Sequence, residues 1–460
     1  MASQITNMKT PSAHKQNPSP SPSALSRRQF LRSAALAAGA GLTILPGGIL
    51  SGANAPSKKL TVALIGVGGR GKAHFGAVKN ENVVALCDVN EKALAAAAQS
   101  FPNAKHYVDW RKCLDHPGVD AVICCTADHT HAFISNWAIN RGMHVYCEKP
   151  LANCVTEARV VRANYLKNRH KIATQVGMQR HEFTNFNRVR EAVLDGAVGT
   201  LKHVHVWGDR QHTRTAYLPA AGDPPPELHW DLWIGPSPFH PYNPGYIGGC
   251  LKWNMHWDFG SWQVGDMGSH TMDLAWNAID AELPTSAEAK GDPFNPDVAP
   301  SALTMTFEHP ANKWRPAIKV TWYQGSHKPK AIEGIPTQPG HGALFLGDKA
   351  GLVASFRDLE LFPLDAQKGM AHYTPRPESK QLPRLGNFQE QWVNACKGSL
   401  KTACDFEYSG NMIEQLLLGL VAFRVGKKIE YDGKTGRVTN VPEANPLLSR
   451  QYRAGWVLNG

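Results

Sequence analysis

The first half of the chain alternates short apolar runs with stretches in which apolar positions recur every three or four residues. Leu60, Val62, Ala63, Leu64 and Ile65 read as a buried strand, and further strands are predicted at 82–86, 119–126, 144–147 and 171–176. Helical periodicity falls between them, at 72–79, 91–100, 130–141 and 156–167. Strands alternating with helices in this way predict an α/β fold with a doubly wound parallel sheet. From Gln179 the rhythm changes. Strand-like runs at 202–210, 302–307, 317–323, 343–346, 351–355 and 428–431 have few helices between them, which predicts an open, mainly antiparallel sheet. Helices are expected at 185–194, 387–397 and 411–425; the last has charged residues too close on either side of Leu416-Leu417-Leu418 to span a membrane.

Composition adds limits. With 460 residues, 42% hydrophobic and 19% charged, the chain is ordinary globular protein with room for more than one core. Its net charge of +11 includes five cations in residues 1–55, where no acidic residue offsets them. The remaining excess is scattered, so no footprint for nucleic acid emerges. Nine cysteines, odd in number and mostly within predicted strands, read as small buried hydrophobes and not as a disulfide or metal framework.

The first 55 residues read as an address. After a Ser/Pro/Lys-rich start, Ser26-Arg27-Arg28-Gln29-Phe30-Leu31-Arg32 and the Ala/Gly-rich run to Leu50 resemble a twin-arginine export signal. Gly39, Gly41, Gly47, Gly48 and Pro46 argue against a spanning helix, and cleavage is expected after Ala53 or Ala55. That route carries folded proteins, so the expectation is a periplasmic protein exported with its cofactor already loaded and tightly retained.

The first strand breaks into Gly66-Val67-Gly68-Gly69-Arg70-Gly71, a GxGxxG turn. Glycines at these positions allow a tight turn, close approach to a pyrophosphate and close packing of the next helix, whose N-terminus holds the phosphate. Asp88, 22 residues past Gly66, stands where a carboxylate accepts hydrogen bonds from the adenosine ribose and repels a 2′-phosphate, favouring NAD over NADP. In open parallel sheets ligands sit at the carboxyl ends of the strands, which singles out the loops at Thr126-Ala127-Asp128-His129 and Glu148-Lys149-Pro150.

The glycine turn, the stretch Thr126, Asp128, His129, His131, Ala132 and the sequence Cys147-Glu148-Lys149-Pro150 together resemble the Gfo/Idh/MocA oxidoreductases. The resemblance extends over essentially all of the chain after the signal. It implies an N-terminal Rossmann domain at 56–178, a substrate and oligomerisation domain at 179–460, and a homo-oligomer, dimer or tetramer. It also implies that Lys149 lies beside the nicotinamide and the substrate hydroxyl. Gly66, Gly68, Gly69, Arg70, Gly71, Asp88, Thr126, Asp128, His129, His131, Glu148 and Lys149 are the expected cofactor residues.

In the second domain Asp266 and His270 are expected one turn apart on a helix, a carboxylate orienting an imidazole that acts as general base. The family carries an Asp and a His at this spacing and completes its catalytic set with the lysine. No zinc-type spacing supports a metal at this pair. Six tryptophans between 230 and 276 read mainly as packing anchors, with one or two available to a carbohydrate subsite. The chain is therefore expected to be an exported NAD-dependent oxidoreductase acting on a sugar, glycoside or cyclic polyol. Two other readings remain open: an NAD-dependent glycoside hydrolase working by transient oxidation and elimination, and a non-catalytic NAD-bound sensor or scaffold.

Overall fold

The structure, a computed structural model, describes residues 59–208, 210, 213–330 and 340–460, together with 43–44 and 50–51. Thr43–Ile44 (β1) and Leu50–Ser51 (β2) pair antiparallel. The twin-arginine stretch 26–32 lies outside the described residues.

From Leu60 onward the chain forms one compact unit. Strands Thr61–Ile65 (β3), Asn82–Cys87 (β4), Lys105–Tyr107 (β5), Ala121–Cys124 (β6), His144–Cys147 (β7) and Thr174–Val176 (β8) make a six-stranded sheet in the order β5-β4-β3-β6-β7-β8. Every neighbouring pair in it is parallel. Helices cover both faces, so the central strands are buried throughout; Val62, Ala63, Leu64 and Ile65 are at most 3% exposed. The register matters for function. Ile65 pairs with both Cys87 and Cys124, Cys124 with Cys147, and Cys147 with Val176, so the carboxyl ends of β3, β4, β6, β7 and β8 lie level. Gly66, Asp88, Thr126, Lys149 and Gln179 follow those ends and are delivered to one edge of the sheet.

A second sheet of nine strands adds His203–Gly208 (β9), Ser286–Gly291 (β10), Leu303–His309 (β11), Ile318–Gln324 (β12), Gly342–Leu346 (β13), Ala350–Ala354 (β14), Leu359–Pro363 (β15), Ile429–Asp432 (β16) and Arg437–Val438 (β17). Its order is β15-β14-β13-β9-β12-β11-β10-β16-β17. All pairs are antiparallel except β9 with β12, so the sheet is mixed at its centre and antiparallel elsewhere. Between it and the first sheet run the helices Gly268–Ala278 and Phe406–Val425. Glu414, fully buried on the second of these, accepts from Arg159 at 2.7 Å, from Tyr431 at 2.6 Å and from Arg162. Arg159 and Arg162 belong to the helix Val155–Asn168, so this charged knot fixes one layer on the other. Stripping both arginines would leave the buried carboxylate uncompensated. Among the described residues no helix is long and apolar enough to cross a membrane, and all nine cysteines are free.

The fold departs locally from expectation in two places. The predicted helix at 72–79 is a 3-10 turn, Gly69–His74, followed by one α-turn, Phe75–Val78. The predicted helix through 265–273 is interrupted at Met267, dividing Trp262–Asp266 from Gly268–Ala278. There the Ser269 hydroxyl donates to the Gly265 carbonyl at 2.6 Å, taking the acceptor that a continuous helix offers to the backbone.

Candidate active site

At the level strand ends lies a cleft of about 760 Å³. One end is the glycine turn. Gly66 has φ +82°, and a Cβ on it would fall 2.3 Å from the Cys125 carbonyl oxygen; one on Gly71 would fall 2.0 Å from the Gly66 oxygen. Both positions therefore require glycine. Gly68, Gly69 and Arg70 line the cleft beyond them, and no side chain caps the start of the Gly69–His74 turn. Asp88 accepts from the Val67 and Gly68 amides at 3.0 Å each and from Asn90 at 2.9 Å. Its burial nonetheless outweighs these bonds and raises its pKa. A half-buried carboxylate that, among the described residues, makes no ion pair suits neutral donors such as ribose hydroxyls and disfavours a phosphate.

The middle of the cleft is braced by Glu148, which accepts from Arg70 at 2.9 Å and is bonded to His74 at 3.0 Å. Burial would push its pKa up, but the hydrogen bond from His74 and the charges of Arg70 and Lys149 draw it down to about 2. Thr126 and Thr130 share a hydroxyl bond of 2.6 Å. His131 reaches the Pro150 carbonyl at 2.7 Å and the Thr126 carbonyl at 3.1 Å, so it clamps two strand-end loops together. His129, expected in the cofactor set, is not among the residues that line the cleft. Its Nε2 is bonded to the Trp233 carbonyl at 2.8 Å and its ring packs on Trp233 and Phe259, which turns it away from the cleft into the segment beyond.

The other end is a set of charges. Lys149 donates to Asp266, whose second oxygen is 2.8 Å from Arg210. Burial would push the Asp266 pKa up, but these two cations hold it below the usual carboxylate range. Burial likewise opposes the Lys149 charge, and Asp266 overcomes it and keeps the ammonium above the usual lysine range. Asp128, also buried, is pushed up to about 7 by desolvation and by Asp266, against the pull of Lys149. His270 lines the same cleft; burial first, then Lys149 and Arg180, push its pKa down to about 3. The expected orientation of His270 by Asp266 is not what forms. The carboxylate is taken by Lys149 and Arg210, and His270 Nδ1 has no hydrogen-bond partner.

Two family models match this chain: an oxidoreductase-family NAD-binding Rossmann fold over residues 60–177 and the C-terminal alpha/beta domain of the same family over 197–311. The chain belongs to the Gfo/Idh/MocA oxidoreductase family. Its cofactor is NAD, and the glycine positions, the uncapped turn and Asp88 fit that dinucleotide. This oxidoreductase is 31% identical over 170 residues to inositol 2-dehydrogenase 2 of Saccharopolyspora erythraea, covering 36% of this chain and 48% of that one. Over 143 residues it is 29% identical to myo-inositol 2-dehydrogenase of Thermotoga maritima, covering 30% and 42%. The chain thus spans less than half the length of the curated relatives it matches. In fold it is similar to the WlbA dehydrogenase from Bordetella pertussis solved with NADH and UDP-GlcNAcA, with a TM-score of 0.58, 16% identity, and coverage of 81% of this chain and 99% of that one.

Several cleft residues of the oxidoreductase carry no motif in the sequence. Arg210 follows β9, Cys250 and Trp253 come from a short helical turn, and Gln179 and Arg180 follow β8. For the last two a signal existed: they sit beyond a parallel strand's carboxyl end, the same rule that picks out Lys149.

Proposed function

We propose that this chain moves a hydride between a ring carbon of a sugar, glycoside or cyclic polyol and a tightly held nicotinamide, after export to the periplasm. The observation that carries this reading is the Lys149–Asp266–Arg210 charge set facing a neutral His270 in the same cleft as the glycine turn. Bound NAD supplies the hydride acceptor. His270, uncharged and with an unpartnered Nδ1, takes the proton of the substrate hydroxyl as the C–O bond becomes a carbonyl. Lys149, kept fully protonated by Asp266, stabilises the negative charge developing on that oxygen. Asp266 acts as a positioning residue for Lys149, and Arg210 neutralises its second oxygen.

Retention of the cofactor has its own support. Leu228 makes an isolated β-bridge with Asn90, carried by Glu91 N–H to the Glu227 carbonyl and His229 N–H to the Val89 carbonyl, both at 2.9 Å. Lys92 also pairs with Glu227 and His229 with Glu91 at 2.7 Å. Leu228, Leu232 and Trp233 line the cleft that Asp88 also lines, and the bridge straps their segment to the loop that follows Asp88. A strapped, resident NAD equally suits a glycosidase that oxidises a ring hydroxyl, eliminates the aglycone and takes the hydride back.

The deciding experiment identifies the nucleotide carried by the purified full chain and then incubates the protein with a panel of glycosides. Net NADH formation supports the dehydrogenase. Aglycone release without it favours the hydrolase, and neither in any glycoside or polyol leaves a scaffold and sinks both enzymatic readings.

A further inference from the structure

The substrate end of the cleft holds one more cation than its carboxylates can neutralise. Asp266 serves Lys149 and Arg210, and Asp128 also feels Lys149. Arg180 has no carboxylate within ion-pair distance among the described residues. Its guanidinium instead lies 4.1 Å over the ring of Phe356. The same Phe356 ring meets His270 edge to face, with centroids 6.5 Å apart and planes at 85°. Phe356 therefore sets Arg180 beside the proposed base.

The backbone under Arg180 is also fixed. It lies in the 3-10 turn Gln179–Glu182, where His181 Nδ1 meets the Asp273 carboxylate at 3.0 Å and Tyr408 donates to that carboxylate at 2.6 Å. Asp273 sits one turn beyond His270 on the helix Gly268–Ala278, so the turn carrying Arg180 is pinned to the element that carries the base. Next to it, Gln179 lines the cleft and keeps a buried Oε1 without a partner, an acceptor ready for a hydroxyl. Burial first, then the neighbouring Arg210 and Arg357, disfavour charge on Arg180, and the pull of Asp266 only partly offsets them. A cation kept half-buried against such repulsion, on a rigid support, is relieved by an arriving anion.

We propose that Arg180 is a specificity residue for a carboxylate on the substrate, so that the oxidoreductase prefers sugars of the uronic-acid class over neutral sugars. Guanidinium and carboxylate match as planar, bidentate partners. Gln179 would then accept from a ring hydroxyl. This proposal rests on the reading that the cleft takes a sugar beside NAD.

The test uses the full chain loaded with NAD and titrates it calorimetrically with matched methyl glycosides of glucose and glucuronic acid, and of galactose and galacturonic acid, with glucose 6-phosphate as a further arm. At least one uronide should bind about 10-fold tighter than its neutral partner, the scale of one charge-assisted pair. Arg180→Gln, checked for unchanged melting temperature, should weaken the uronide more than its neutral partner and so erase the preference; Arg180→Lys should restore part of it. Equal binding of both partners by the native protein, equal weakening of both by Arg180→Gln, or preference for the phosphate ester would overturn the proposal. Absorbance at 340 nm and aglycone release in the same samples separate the two ideas. Uronide preference without either reaction defeats the enzymatic reading alone, and reaction without the preference defeats the carboxylate alone.

Discussion

Asp88, half-buried, and Asp266, buried, are carboxylates at the two ends of one cleft, yet their pKa values shift in opposite directions. Asp88 accepts three backbone amides and still finds its charge disfavoured; Asp266 has two cations and finds its charge favoured. The difference teaches that amide dipoles fix a carboxylate's direction, whereas full charges fix its protonation. One end of the cleft is thus built to recognise a shape, the other to hold a charge pattern through a reaction.

The largest break in that contrast comes from removing the charge pattern. Lys149→Ala should lower hydride transfer by about 10²-fold or more while NAD binding changes little, because the cradle and Asp88 are untouched. Stopped-flow absorbance with equilibrium NAD titration checks both halves, and undiminished transfer would refute the assignment. At the opposite end, Asp88→Ser should weaken NAD by about 10-fold and narrow its advantage over NADP, leaving the chemical step of fully loaded enzyme nearly unchanged. Unaltered NAD affinity and NAD/NADP ratio would remove Asp88 from the cofactor site.

A smaller effect sharpens the electrostatic part. Asp128 has a folded pKa of about 7 against an ordinary value of 3.8, so between these limits the folded state holds the proton more tightly than the unfolded one. Its contribution to stability therefore declines as pH rises from 3.8 to about 7. Asp266, with its pKa lowered, behaves oppositely: its stabilisation is present above 3.8 and is lost on acidification below that. Asp128→Asn should melt closest to the native protein near pH 4 and progressively higher than it as pH rises to 8, by about 1 °C for each kcal/mol relieved in a unit of this size. A melting difference independent of pH would show that Asp128 is not the titrating group.

Much of the Rossmann half was legible because parallel, doubly buried strands are unbroken apolar runs, and because their carboxyl ends point to the site. Asp88 and Lys149 both stand out by that logic. Strands β5, β10 and β15 were not legible. β5 is Lys105-His106-Tyr107, largely exposed, and β10 is Ser286-Ala287-Glu288-Ala289-Lys290-Gly291, whose residues are weak strand formers placed by their partners β11 and β16. The Asn90–Leu228 bridge joins positions far apart in sequence, and no local pattern announces it. The partnership of Asp266 with Lys149 escaped for a related reason. Four-residue spacing suggested His270, but a flexible ammonium from the loop after β7 reaches the carboxylate first and satisfies it with full charge.

The interruption at Met267 has a consequence for how this chemistry can change. Because Asp266 ends one helix and His270 belongs to the next, the anchor of the lysine and the proton acceptor are two modules, not one rigid pair. Position 270 can be exchanged without removing a partner of the Lys149–Asp266–Arg210 set. The protein can in this way retune where the proton goes while leaving intact the group that stabilises the oxygen.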